Sequence, residues 1–251
     1  MNEILSLVLG SMQSDVTRLE RTGMNIANAG TVGYKREIVS AMPFAARVGA
    51  ATGAGVPGTP ESTPMSVRFD PRPGTLKSTG LSLDLALGGP GWFEVTTDQG
   101  VNYTRQGNFR VDSRGRLVTQ QGHPVMGTAG EIQMPAGQPV IDASGRILDP
   151  AVPAGAGRAQ AVAQLKVVQF EGGAPMDRVG EGRFRIEGDA AAVPEGALQV
   201  QQGFLENSNV SHMHEMVRLM ETMRHMETMQ KVAIGYDDML ATSIRKLGEG
   251  S

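Results

Sequence analysis

The chain has no cysteine among its 251 residues, which removes disulfides, thiol nucleophiles and thiolate metal sites together. Aromatic residues are also scarce, with three Tyr, seven Phe and one Trp, and that argues against a large aromatic-lined ligand pocket. No apolar run approaches the roughly 18 residues of a spanning helix, so no membrane-spanning segment is expected. A net charge of −3 leaves no basic footprint for nucleic acid. The apolar stretch Ile4 to Leu9 is short and follows Glu3 with no basic residue before it, so it does not read as a cleaved signal peptide.

The two ends of the chain match each other in kind. Near the amino end, Leu5, Met12, Leu19 and Ile26 fall seven residues apart, with Val8 and Val16 near the intermediate positions. This is one apolar stripe on a helix. Near the carboxyl end a three-four series runs through Met216, Leu219, Met223, Met226, Gln230, Ala233, Asp237, Leu240, Ile244 and Leu247, with only Gln230 and Asp237 polar. Such spacing is that of a coiled-coil seam. Ser208 or Asn209 can cap this helix, Ser211 stands before His214 and Glu215, and Gly235 weakens the seam by about 1 kcal/mol relative to alanine. The expected fold class is mixed: an all-β middle domain with N- and C-terminal α-helices pairing as a coiled coil, both ends mobile in the monomer and ordered only among neighbouring subunits.

Between the helices the signals change. Asn28, Gly30 and Gly33 end the first helical pattern. From Met42 to Gly74 the prolines 43, 57, 60, 64, 71 and 73 exclude helix and predict an extended arm. Leu81, Leu83, Leu85 and Leu87 alternate with smaller or polar residues, as in a strand with one buried face. Strand candidates follow at Trp92–Thr96, Val101–Thr104, Phe109–Val111, Leu117–Thr119, Gln164–Phe170, Arg183–Ile186 and Ala197–Gln201, with 153–157 as a surface loop. The segment Val111-Asp-Ser-Arg-Gly-Arg-Leu117 recurs as Ile141-Asp-Ala-Ser-Gly-Arg-Ile147, a repeated turn in which Asp accepts backbone hydrogen bonds and Gly supplies the positive φ. The resulting division is 1–30 amino-terminal axial helix, 31–75 linker or arm, 76–204 β-rich middle domain and 205–251 carboxyl-terminal axial helix.

Chemistry finds little support. Gly53-Ala-Gly55-Val-Pro-Gly58 has the letters of a dinucleotide fingerprint but follows no strand and contains Pro57, so no phosphate cradle and no cofactor is expected. His212 and His214 lie two apart on a helix and point to different faces, so with Glu215 and His225 they predict solvated residues rather than a metal site. Asp112 and Asp142 are already accounted for by their turns, and no histidine in 81–119 can partner a serine nucleophile. The methionines at 213, 216, 220, 223, 226 and 229 read as core packing, or as adaptable contacts to non-identical neighbours. Asn25, Asn28 and Asn209 read as caps or else as contacts to a neighbour, and Lys35 with Arg36 as a solvated pair or an intersubunit contact.

Four ordered motifs resemble one family. Asn25-Ile-Ala-Asn28 followed by Thr31-Val-Gly33-Tyr34-Lys35-Arg36 resembles the amino-terminal signature of the bacterial flagellar basal-body rod and hook proteins. Pro73-Gly74-Thr75-Leu76 with Leu83-Asp84-Leu85-Ala86-Leu87-Gly88 and Gly91-Trp92-Phe93 resembles the opening of their middle domain, continued by Tyr103-Thr104-Arg105-Gln106-Gly107-Asn108-Phe109. Gln202-Gly203-Phe204-Leu205-Glu206-Asn207-Ser208-Asn209-Val210 resembles their carboxyl-terminal signature. Met24, Ala29-Gly30 and Met226 depart from the common pattern. The resemblance implies a non-enzymatic structural subunit of the flagellar rod, closest to the proximal-rod type, with a distal-rod or hook-type subunit as the alternative. It also implies export through the flagellar type III apparatus without a cleaved signal, partners among other rod subunits, terminal helices inside a tube, and a location in the periplasm-spanning basal body. From another class, a secreted β-rich adhesin-like module is the alternative.

Overall fold

The computed structural model describes residues 2–40, 66–135, 137, 139–149, 161–170, 174–194 and 196–248. Most of the proposed arm, the 53–58 glycine motif and the 153–157 loop lie outside these residues. So do the side chains of Leu240, Ile244 and Leu247. The chain divides into two compact units, one of Met1–Ala27, Glu37–Arg68 and Ser211–Ser251, the other of Asn28–Arg36 and Phe69–Val210.

The first unit holds two helices, α1 (Asn2–Ala27) and α2 (His212–Gly248), and a two-stranded pairing of Glu37–Ser40 with Ser66–Phe69. The helices contact each other and run antiparallel, since Asn25 meets Glu215 and Asp15 meets His225. The inner face of α2 is lined by Glu215, Leu219, Thr222, Met226, Met229, Ala233 and Tyr236, buried or half-buried at alternating intervals of four and three, with Met216 and His225 half-buried beside them. On α1 the buried positions are Val8, Ser11, Asp15, Thr22 and Asn25.

This face differs in phase from the sequence expectation. Leu219, Met226 and Ala233 lie on it, but Met223, Gln230 and Asp237 are exposed, each one residue past an inner position. The polar interruptions in the predicted seam are explained by that offset. Gly235 makes no close contact, because a Cβ built there meets nothing within 4 Å, and α2 runs through it without a break. The helix also starts later than its capping signal suggested: Ser211, not Ser208 or Asn209, immediately precedes it, and its carbonyl accepts the Glu215 N–H at 3.0 Å.

The second unit is β-rich, built of short antiparallel strands around a six-stranded sheet in the order 176–180, 183–186, 100–104, 92–97, 167–169, 191–192. Its central strand, Trp92–Thr97, is buried on both faces. Phe93 and Val95 join a core with Leu85, Phe109, Leu117 and Ile147, whereas Trp92 points to a second cluster with Val168, Phe184 and Ile186. The period of two along the strand sorts residues into the two cores. Phe184 is met edge-on by Phe69 at 5.0 Å and by Trp92 at 5.2 Å between ring centroids.

Several strand expectations need correction, among them Ala197–Gln201, where the strand begins only at Val200 and runs to Gln202. Residues 81–84 form a turn, with the Asp84 N–H donating to Leu81 O at 3.1 Å, and only Leu85–Leu87 is a strand, buried at all three positions. The expected 164–170 strand is two, Ala161–Gln164 and Val167–Gln169. The expected arm contains the paired strand Ser66–Phe69.

The repeated turn is built as its sequence requires. Asp112 Oδ1 accepts the N–H groups of Arg114 and Arg116 at 2.9 and 2.8 Å, and Asp142 Oδ1 accepts those of Ser144 and Arg146 at 2.9 and 3.0 Å. Gly115 and Gly145 take φ of 78° and 74°, the left-handed region that glycine enters without steric cost. The Asp112 carboxyl is held below its ordinary 3.8, chiefly by the Arg116 backbone N–H, with desolvation opposing and the Arg116 side chain assisting. Since the folded value lies below the unfolded one, the carboxylate stabilises the turn above about pH 4 and the contribution is lost as pH falls through the depressed value. An acid titration followed by amide NMR should therefore release Arg114 and Arg116 N–H shifts below the ordinary Asp range; movement above pH 5 would contradict this assignment.

Two glycines should respond in opposite directions to alanine. A Cβ at Gly107 would overlap the Leu85 carbonyl, so Gly107→Ala should destabilise by upward of about 2 kcal/mol. Gly235→Ala, with open space around it, should stabilise α2 by about 1 kcal/mol. Thermal and urea unfolding of the two variants checks the pair.

Candidate functional site

In the second unit the motif segments from opposite ends of the sequence bond to each other. Tyr34, Lys35 and Arg36 are buried, so the expectation of a solvated Lys35–Arg36 pair is overturned. Lys35 Nζ donates to Glu206 Oε1 at 2.6 Å and to Arg72 O at 2.8 Å. Arg105 Nη1 donates to Glu206 Oε2 at 3.2 Å, and its Nη2 to Gly89 O at 2.9 Å. The side chains of Lys35, Glu206 and Arg105 are 0%, 1% and 2% exposed. Glu206 also accepts the Gly74 N–H at 2.9 Å, and its own carbonyl accepts the Gly33 N–H at 2.7 Å. One carboxylate thus holds the amino-terminal motif, the 72–74 segment, the middle-domain motif and the carboxyl-terminal motif.

Two cations share this one anion in a dry setting. Burial pushes the Lys35 ammonium below its ordinary value, Glu206 opposes, and the Arg105 guanidinium adds to the depression. Burial lowers Arg105 in the same way, with Glu206 again opposing. Gly33 makes the approach possible: its φ is +64°, and a Cβ there would lie 2.6 Å from the Arg105 carbonyl carbon.

Asn209 extends the network. Its Oδ1 accepts the Arg36 N–H at 2.8 Å, and its Nδ2 donates to Asp70 O and Arg72 O at 3.0 and 2.9 Å. It ties the backbone at Arg36 to the 70–72 segment rather than capping α2. Arg178 donates from Nη2 to Lys35 O at 3.0 Å and lies 4.2 Å over the Tyr34 ring, with Phe69 and Phe184 also beneath it. Asn28 and Thr31 form a turn in which the Thr31 N–H donates to Asn28 O at 3.0 Å. Gly203, at φ +79°, separates the strand Val200–Gln202, which pairs with Leu85–Leu87, from Phe204–Glu206, which pairs with Leu76–Ser78. Ser208 Oγ accepts the Val210 N–H at 3.2 Å.

In the first unit the sites are on the helix pair. Asn25 lies in the last turns of α1, where its Oδ1 accepts the Glu37 N–H and its Nδ2 donates to Glu37 O, both at 2.9 Å. The amide thereby mimics a strand neighbour, and the same Nδ2 reaches Glu215 Oε2 at 3.1 Å. Asp15, fully buried, lies 2.6 Å from His225 Nδ1 and 3.6 Å from Arg18 Nη1. His225 is thus a cross-helix partner with 39% of its side chain still exposed, whereas Glu215, expected to be solvated, is buried; His214 Nδ1 lies 2.8 Å from Ser211 Oγ, and His212 is exposed. Of the apolar stripe on α1, Met12, Leu19 and Ile26 are half-buried and Leu5 is 41% exposed. On α2, Met216 is half-buried beside the inner Leu219 and Met226.

Among the described residues no group of three or more His, Asp or Glu side chains is placed to hold a metal ion. No described helix is long and apolar enough to cross a membrane. The buried ionic centre joins chain segments from distant parts of the sequence. Sequence reasoning singled out Lys35 and Glu206 separately and missed Arg105 as their partner. No local signal pointed to that pairing, since Glu206 follows only two apolar residues, Phe204 and Leu205, and precedes Asn207-Ser208-Asn209.

Glu206→Gln keeps the shape but leaves two buried cations without their anion, which should cost about 3–5 kcal/mol. Lys35→Met should cost less, because Arg105 and Glu206 still pair. Urea unfolding of both variants decides the point, and an equal or reversed order would remove Glu206 from the centre of the network.

Comparison with known proteins places the motifs in context. Residues 86–149 match the family profile described as the flagellar hook protein FlgE/F/G D1 domain, and residues 201–246 that of the flagellar basal body rod FlgEFG protein C-terminal. The chain is 30% identical to the flagellar basal-body rod protein FlgG of Bacillus subtilis, with 92% of this chain and 94% of that protein covered. It is 32% identical to the flagellar basal-body rod protein FlgF of Escherichia coli, with 95% of each covered. Its identity to the FlgF protein of Caulobacter vibrioides is 30%, with 92% of each covered.

Proposed function

The chain belongs to the flagellar basal-body rod protein family, and from that premise we propose an axial rod subunit that transmits torque through its paired helices. It is a structural protein of the flagellar basal body and not an enzyme. Family membership removes the adhesin-like alternative. Within the rod we assign it to the proximal type from its length and single middle domain; its relatives carry both the FlgG and FlgF names at similar identity.

The observation that carries the mechanism is the helix pair. The four-three recurrence along the inner face of α2 supports coiled-coil pairing with α1. The outward residues Leu5 and Met223, 41% and 49% exposed, then meet neighbouring subunits, with Met12, Leu19, Ile26, Met216, Leu240, Ile244 and Leu247 completing the assembly helices. Asn25 holds α1 to Glu37 and Glu215 within the first unit, and the motif positions Asn28, Thr31, Gly33, Tyr34, Lys35, Gly203, Glu206, Ser208, Asn209 and Val210 serve as a clamp on the chain segments within the second. Export through the flagellar type III apparatus completes the reading.

The test is complementation of a strain deleted for this chain. The wild-type gene should restore motility and complete rods, whereas Met226→Asp with Met229→Asp, on the inner face, should reduce rod-bearing basal bodies at least about tenfold while the β-rich unit stays protease-resistant. Complete rods in the deletion strain, or full rescue by the double variant, would refute the axial role.

A further inference from the structure

Methionine is distributed unevenly by exposure along α2. Met239, late in the helix, is 64% exposed; nearer its start Met213, Met220 and Met223 are 75%, 51% and 49% exposed, and Val217, 44% exposed, lies between them at helical spacing. These four residues form an outward apolar ridge over three turns. Met229, on the same helix, is 7% exposed, and Met216 and Met226 are half-buried. Exposed thioethers are the ones that peroxides reach, and each oxidation turns a flexible apolar side chain into a polar sulfoxide.

We propose that Met213, Met220 and Met223 are a reversible oxidation site, and that their sulfoxides exclude the subunit from the rod. The proposal rests on the axial reading, in which the outward face of α2 is buried by neighbours. The oxidant is a peroxide: the thioether sulfur attacks one peroxide oxygen, a sulfur–oxygen bond forms as the oxygen–oxygen bond breaks, and with hydrogen peroxide the second oxygen leaves as water. The sulfur is oxidised by two electrons and the peroxide reduced by two. Before assembly the ridge is open to this reaction; once buried against neighbours it is shielded. Oxidised subunits are rejected because three polar sulfoxides would have to enter an apolar contact without hydrogen-bond partners. Methionine sulfoxide reductases reverse the change with thiols as the reductant: two thiols become a disulfide as the sulfur–oxygen bond breaks, the oxygen leaves as water, and the thioether is restored.

Two measurements test this. In the purified full-length chain treated with hydrogen peroxide, peptide mass spectrometry should show Met213, Met220 and Met223 gaining oxygen at least about tenfold faster than Met229. In cells pulsed with peroxide during rod synthesis, the soluble pool should carry several-fold more sulfoxide at these positions than subunits recovered from basal bodies. Equal rates at Met229, or equal sulfoxide in the two pools, would overturn the proposal, and neither readout depends on a variant folding. The triple change Met213→Leu, Met220→Leu and Met223→Leu should keep rod assembly under peroxide when wild type falls; an equal fall in both would place the damage elsewhere and also overturn it. Val217→Glu separates this from the underlying reading: it lies on the same ridge without sulfur and should block assembly with no peroxide present. Full assembly of that variant would mean the outward face is not an assembly surface.

Discussion

A single buried carboxylate organises the second unit. Glu206 neutralises Lys35 and Arg105, accepts from the Gly74 backbone, and sits in a strand whose neighbours lead into α2. Burying three charges is costly, and well-packed apolar residues in their place would often be as stable or more so. What an apolar cluster lacks is selectivity among partners. Four chain segments from widely separated parts of the sequence must converge in one arrangement, and a carboxylate that needs two particular cations rejects registers that supply only one. Asn209 adds the same kind of discrimination through backbone groups of residues 36, 70 and 72.

The helix pair follows the same logic with different residues. Its buried positions include Ser11, Asp15, Thr22, Asn25 and Glu215, more polar than an oily seam would be. Asp15 with His225, and Asn25 with Glu215 and the Glu37 backbone, fix both direction and register, since slipping α2 by one residue would break both links at once. Buried polar groups in helical seams are best attested in that role, and they carry a cost in stability. The apolar side chains that would have compensated point outward instead, as at Leu5, Met213 and Met220.

This division explains what could be read from the sequence. The β-rich middle, the two terminal helices and the turns at Asp112 and Asp142 were legible because each depends on local chemistry: strand periodicity, an Asp–Gly turn, a sustained helical pattern. The helix phase was half legible. Leu219, Met226 and Ala233 were assigned to the inner face, but Met216, Met223, Gln230 and Asp237 were preferred to Glu215, Thr222, Met229 and Tyr236. A hydrophobicity criterion selects the more apolar stripe, and here the pair buries polar residues whose partners lie about 200 positions away. The same limit hid Lys35: beside Arg36 and near several glycines it reads as solvated, and only its contact with Glu206 reveals why it is inside.

The residues that escaped sequence reasoning therefore share a property: their placement is decided by long-range polar partners and not by their own neighbours. Glycine belongs to this group as well. Gly33 would be read as a helix stop, and it does adopt a left-handed φ, but the demand on it comes from the Arg105 backbone passing too close for any Cβ. Gly107 shows the same constraint against Leu85. Both glycines permit the close backbone approach that brings the ionic centre together, and both stand inside motifs whose charged members form it. The motifs are thus legible as a set because one geometric requirement, four segments meeting around one carboxylate, acts on all of them.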